Sequence, residues 1–205
     1  MPGDSLHSPP GIHIEIVEDS IAIVYATWHG QAEKVARRIA DVFSTYAVQT
    51  TMLEVRRSSG DGIALERYDA VIVVGSIHFG RQARRLVDFV RRNLAVLSTI
   101  STAFLSVSGA AGSLEGDAEA QRYIHEFGMR TGWQPDVTLS VAGAIPYSRY
   151  GFFTRLVMTF ASRIAGRDSD STRDFEYTNW IAVEDFARNF LGELGLDKRR
   201  GTAAQ

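Results

Sequence analysis

At 205 residues, 45% of them hydrophobic and 22% charged, the chain is long enough to bury one substantial core and too short for two ordinary domains. A formal net charge of −2 argues against a general nucleic-acid binder, which needs a concentrated basic surface. Cysteine is absent, which excludes disulfides, thiolate metal sites and thiol redox chemistry, so any electron transfer has to run through a bound cofactor.

Residues 1–18 mix Pro, Gly, Ser and His without a sustained period and read as a mobile extension, although a short strand over 12–17 is compatible with the pattern. No basic region followed by an apolar run marks a secretory signal, and no stretch approaches the roughly 20 apolar residues of a spanning helix, so the cytoplasm is the expected location. Ile21, Ala22, Ile23, Val24 and Tyr25 form an apolar run too brief for a helix and predict a central strand. Apolar residues at 35, 36, 39, 40, 42 and 43 recur at helical spacing, so 31–46 is predicted to be a helix with one buried face. Val48, Thr50 and Met52 alternate, less cleanly at Glu54, and predict a partly exposed edge strand over 48–55. A fully apolar strand at 70–74, an amphipathic helix at 83–97, a strand at 103–107 and a helix at 117–129 follow, then a last strand at 137–142 and a last helix at 179–194. Apolar strands alternating with helices imply a parallel sheet covered on both faces: an α/β fold in three layers, doubly wound on five strands.

In such a sheet, ligands bind beyond the carboxyl ends of the strands, where the strand order reverses. Three loops belong there. The first is Thr27, Trp28, His29, Gly30, Gln31 and Ala32, in which a hydroxyl, backbone N–H groups and the positive end of a helix could converge on a phosphate. Small residues also suit any tight turn from strand to helix, so this loop by itself leaves both readings open. It lacks the Gly-x-Gly-x-x-Gly spacing of dinucleotide folds and the Gly-Lys-Ser/Thr ending of nucleoside triphosphatases, so a mononucleotide with a terminal phosphate fits better. The second loop is Ser76, Ile77, His78, Phe79 and Gly80, preceded by Gly75, where an aromatic face between glycines suits a planar ring. The third, Ser108, Gly109, Ala110, Ala111, Gly112 and Ser113, holds no aromatic and would leave one ring face open.

These loops resemble the flavodoxin superfamily, whose first loop reads Thr/Ser-x-Thr-Gly-x-Thr or a close variant. The resemblance implies strand order 2-1-3-4-5 and flavin mononucleotide (FMN) as cofactor, with Phe79 at the position often filled by a stacking aromatic. Ala32 departs from the pattern, standing where a hydroxyl often completes the cradle. On this reading the flavodoxin-like domain spans 19–196 and a tail follows at 197–205.

Late in the chain come Trp133-Gln134-Pro135-Asp136, Val141-Ala142-Gly143-Ala144, Tyr147 with Arg149-Tyr150, and Tyr177-Thr178-Asn179-Trp180. With these, residues 21–194 resemble one branch of the superfamily, the flavodoxin-like, menaquinone-dependent protoporphyrinogen oxidases. That branch implies oxidation of protoporphyrinogen IX in haem biosynthesis with a membrane quinone as acceptor. His78 is the loop histidine with a chemical use, as proton acceptor or hydrogen-bonding group near the flavin. The connection 146–175 is far longer than the ~2–6 residues usual there. In it, Phe153, Leu156, Val157, Phe160 and Ile164 share one helical face and Arg155 and Arg163 another. With Arg149 and Arg167, these arginines are candidates for substrate carboxylates or a membrane surface on the inner face of the cell membrane, or are simply solvated. An electron-carrying flavodoxin, a nicotinamide-dependent quinone reductase and a flavin-free interaction domain are the other readings.

Overall fold

A computed structural model describes residues 20–56, 64–109, 114–145, 175–176 and 178–197. Strand β1 (Ser20–Ala26) is followed by helix α1 (Gln31–Ser44), strand β2 (Gln49–Glu54), a short 3-10 turn (Leu65–Arg67) and strand β3 (Ala70–His78). Next come β4 (Arg81–Gln82), α2 (Arg84–Arg92), α3 (Leu94–Leu97), β5 (Ser101–Ser108) and α4 (Leu114–Thr131). Strands β6 (Val137–Ala142), β7 (Ala144–Ile145) and β8 (Phe175–Glu176) precede the last helix, α5 (Trp180–Glu193).

The main sheet runs β2-β1-β3-β5-β6, all parallel, with β4 paired to β3 at its side. Setting the two-residue β4 aside, this is the expected order 2-1-3-4-5. The period of two along each strand divides its side chains between two cores. From β1, Ile21, Ile23 and Tyr25 meet Val35, Ile39 and Phe43 of α1 and Val183, Phe186 and Phe190 of α5. Ala22, Val24 and Ala26 face the other way, towards Leu86, Val87 and Val90 of α2 and Phe127 of α4. Burial on both faces explains why the central strands are apolar without alternation, while β2 at the edge keeps exposed positions.

Two elements differ from their predicted form. The single helix expected over 83–97 breaks at Asn93, whose backbone leaves helical values at φ −103° and ψ 12°. Its side-chain amide donates to the Phe89 carbonyl at 2.9 Å, ending α2 by capping rather than continuing it. The strand expected to stop at 74 runs on to His78 and folds back through Phe79 and Gly80 into β4, pairing Ile77 with Gln82 and His78 with Arg81. Both turn residues have positive φ, 49° and 73°, as a tight two-residue hairpin of this twist requires. The second loop is thus a hydrogen-bonded hairpin. The proposed segments 1–18, 12–17 and the tail beyond 197 lie outside the described residues, as does the connection 146–175 up to residue 174; β7, just before it, and β8, at its end, pair antiparallel.

Candidate functional site

All five parallel strands end at one sheet edge, which brings the loop after β1, the β3–β4 hairpin and the ends of β5 and β6 together. Gly30 begins α1 in the left-handed region at φ 87°, and no side chain caps the helix. The positive end of a 14-residue helix therefore faces this edge with Glu33 in its first turn, whose carboxylate is held by Arg37 at 2.6 Å.

Thr27 organises the loop. Its Oγ1 accepts the Gly30 N–H at 2.8 Å, so that one backbone donor is used within the loop itself. Trp28 and His29 are exposed, whereas Gln31 turns inward: its amide donates to Thr178 Oγ1 at 2.7 Å, and Thr178 donates in turn to the Ala142 carbonyl at 2.7 Å. The late Thr178-Asn179 pair thus ties α1, β6 and α5 together, with Asn179 Oδ1 capping α5 by accepting the Ala182 N–H at 3.1 Å. Ala32 is fully buried in the apolar core against β1. Its methyl belongs to packing, which gives a physical reason for the departure noted at this position.

The hairpin projects Phe79 into solvent at 74% exposure, and Tyr123 of α4 lies beneath the turn. Burial, then the hydrogen bond its hydroxyl makes to the Glu119 carboxylate, push the Tyr123 phenol up to about 12, so it stays protonated. Gln82 anchors the hairpin from inside, donating to Ser106 Oγ at 3.1 Å. A Cβ on Gly75 would come within 2.4 Å of its Oε1, so any larger residue there forces the Gln82 side chain to shift. Ser76 Oγ donates to the Ala26 carbonyl at 3.3 Å and joins the hairpin base to the end of β1.

Four rings gather between loop and hairpin. Trp28 stacks on His78 with ring centres 4.9 Å apart, His29 meets His78 edge-on at 5.4 Å, and Phe79 lies tilted at 4.2 Å from the same imidazole. Burial, reinforced by the nearby His29, lowers the His78 pKa below its ordinary value, favouring the neutral ring that can accept a proton. The third loop is described only at Ser108, which is buried and whose carbonyl accepts the Gly143 N–H at 2.9 Å, and at exposed Gly109; Ala110, Ala111, Gly112 and Ser113 lie outside the described residues. So do Tyr147, Arg149, Tyr150, Arg155, Arg163, Arg167 and Tyr177.

The late motifs part company. Gly143 sits at the site edge, whereas Trp133 is buried against Phe104 and Phe127, and Asp136 Oδ2 accepts the Thr102 N–H at 2.7 Å at the opposite end of β5. Arg85, Gln82 and Tyr123 are site neighbours that sequence reasoning missed. None of the three is readable from local sequence, because each reaches the site through a contact between distant elements. Among the described residues no three metal-ligating side chains cluster, and no helix is long and apolar enough to cross a membrane.

Chemically, the edge offers an uncapped helix start for an anion and an exposed aromatic for a planar ring. The chain is 30% identical over 82% of its length to a protoporphyrinogen IX dehydrogenase [quinone] of Leishmania major, of which the match covers 73%. It is 28% identical over 81% of its length to the protein of the same name from Escherichia coli (strain K12), 91% of which is covered. A solved Streptococcus pneumonia TIGR4 flavodoxin matches 85% of this chain and 99% of its own, with TM-score 0.50 and 14% identity, a likeness of fold alone. Residues 22–172 match the flavodoxin domain family, and with the parallel sheet and its strand order this places the chain in that family.

Proposed function

We propose that the chain is an FMN-dependent oxidoreductase that removes hydrogen from protoporphyrinogen IX and delivers the electrons to a membrane quinone. The observation that carries the reading is the juxtaposition of an uncapped α1 start with a rigid hairpin that holds an aromatic ring in solvent. The family match to flavodoxin domains supports the cofactor, and the names of the relatives support the substrate and acceptor.

The residues present fit FMN. The first turn of α1 has no side-chain cap, Gly30 takes the left-handed conformation that lets the backbone approach an anion, and Phe79 presents a free aromatic face. Thr27, Trp28, His29, Gly30, Gln31 and Ala32 would hold the phosphate end, chiefly through main-chain groups. Ser76, Ile77, His78, Phe79, Gly80, Ser108, Gly109, Ala110, Ala111 and Gly112 would border the ring. When bound, the flavin supplies two-electron redox chemistry. The chain's part is to orient it, to keep the hairpin rigid through Gln82, and to hold neutral His78 ready to accept a proton. Arg149, Arg155, Arg163 and Arg167 are assigned to the propionate groups of the substrate or to the membrane surface.

Apoprotein titrated with FMN should develop the absorption band of a bound flavin at micromolar cofactor. Anaerobic protoporphyrinogen IX should then bleach that band and a quinone restore it. Failure to bind FMN removes the cofactor assignment; bleaching by a nicotinamide but not by the porphyrinogen replaces the enzyme with a quinone reductase.

A further inference from the structure

Arg85 stands in the first turn of α2, yet its guanidinium serves the loop after β1. Nη2 donates to the Thr27 carbonyl at 2.6 Å, and Cζ lies 5.1 Å from the centre of the Trp28 ring, on which His78 also stacks. The Nε of Arg85 is shut away from solvent without an acceptor. Among the described residues no carboxylate pairs with Arg85, whereas its neighbour Arg84 stands 3.9 Å from Asp88 on the surface. A guanidinium stays protonated, so a positive charge with no carboxylate partner among the described residues lies partly buried against the loop. A buried donor without a partner is costly unless an acceptor completes it.

The loop itself is poor in charge. It has no lysine or arginine, Ala32 contributes no hydroxyl, and the first turn of α1 carries an acidic residue, Glu33. The helix end supplies only a partial charge of about half a unit, against close to two negative charges on a terminal phosphate at neutral pH. Lys34 follows Glu33 in the same turn, and Arg85 adds a full charge from another element, held against the loop. Its hold on the Thr27 carbonyl also fixes the peptide plane, because in a trans peptide the Trp28 N–H points opposite to that carbonyl.

We propose that Arg85 is a specificity-determining residue that makes this chain select a phosphorylated flavin over an unphosphorylated one. The inference rests on the reading that the loop holds FMN. Arg85 supplies fixed charge and sets the orientation of the first loop amide; riboflavin, which has the same ring without the phosphate, would gain nothing from the charge.

The test is titration of full-length apoprotein with FMN and with riboflavin, each at low and high salt. Wild type should prefer FMN, and that preference should shrink with salt. Arg85→Met should weaken FMN by about tenfold or more while leaving riboflavin within about twofold. Arg85→Lys should fall between, because it keeps the charge and loses the planar fork. Equal loss for both flavins in a methionine variant whose thermal melt shows a folded protein would overturn the proposal, making Arg85 a loop support only; so would unchanged FMN affinity. If the methionine variant does not fold, the lysine variant decides: FMN weakened with riboflavin held supports the proposal, and parallel loss overturns it. Wild type binding neither flavin would instead show that the underlying cofactor reading had failed.

Discussion

Phe79 holds φ at 49°, in a region where a bulky L-residue carries roughly 1–2 kcal/mol of strain, and it gains no compensating burial. Strain of this kind persists where function requires the side chain, so stability and binding should separate at this residue. Phe79→Gly is expected to raise apoprotein stability by about 1 kcal/mol and to weaken FMN by about tenfold through the lost ring contact, read by thermal melts beside flavin titration. A variant that loses stability as well would mean that Phe79 supports the hairpin. Phe79 was legible as a site candidate because it stands in a glycine-bounded loop directly after an apolar strand, and Trp28 as a member of the first loop. Arg85 was not, since the contact joins positions 58 apart and depends on the hairpin returning the chain beneath the first loop. Gln31 shows the converse: it belongs to the right loop, but its side chain is engaged with Thr178, a pairing across 147 positions.

At the scale of elements, the β3–β4 hairpin is where the site's rigidity originates. Gly75 admits the buried Gln82 side chain and Leu86; a methyl at Gly75 would come within 2.6 Å of Leu86 Cδ2 as well as meeting Gln82. Gly75→Ala should therefore cost about 1–3 kcal/mol by overpacking, measured by denaturant unfolding. Adding Gln82→Ala should recover part of that loss, because the two residues compete for one space. Additive losses would show that the crowding is relieved elsewhere. Helix α1 and the central strands were legible from period alone, since each buries a continuous face or both faces. The hairpin was not, because an aromatic at a left-handed turn position violates the usual turn chemistry and reads as irregular loop. The break at Asn93 escaped for a related reason: the apolar spacing continues through it, and only the side-chain cap to Phe89 reveals the stop.

For the whole molecule, two cores on either side of one sheet hold the loop after β1 and the β3–β4 hairpin in register, and the α1–β6–α5 tie through Gln31 and Thr178 fixes the last helix against the first. The paired strands Ala144–Ile145 and Phe175–Glu176 bring the chain back to its point of departure before α5 begins. The ribbon brackets residues 146–174, so a short turn between its two strands would rejoin the chain without cutting the described main sheet. Replacing 146–174 by a short Asn-Gly turn is expected to leave folding and FMN affinity within about twofold of wild type, while abolishing turnover of protoporphyrinogen, as followed by flavin bleaching. Retained turnover would move the substrate site back onto the sheet edge. If turnover is lost and FMN binding kept, the ribbon acts as a socket: a body that holds the flavin, onto which another segment could be grafted.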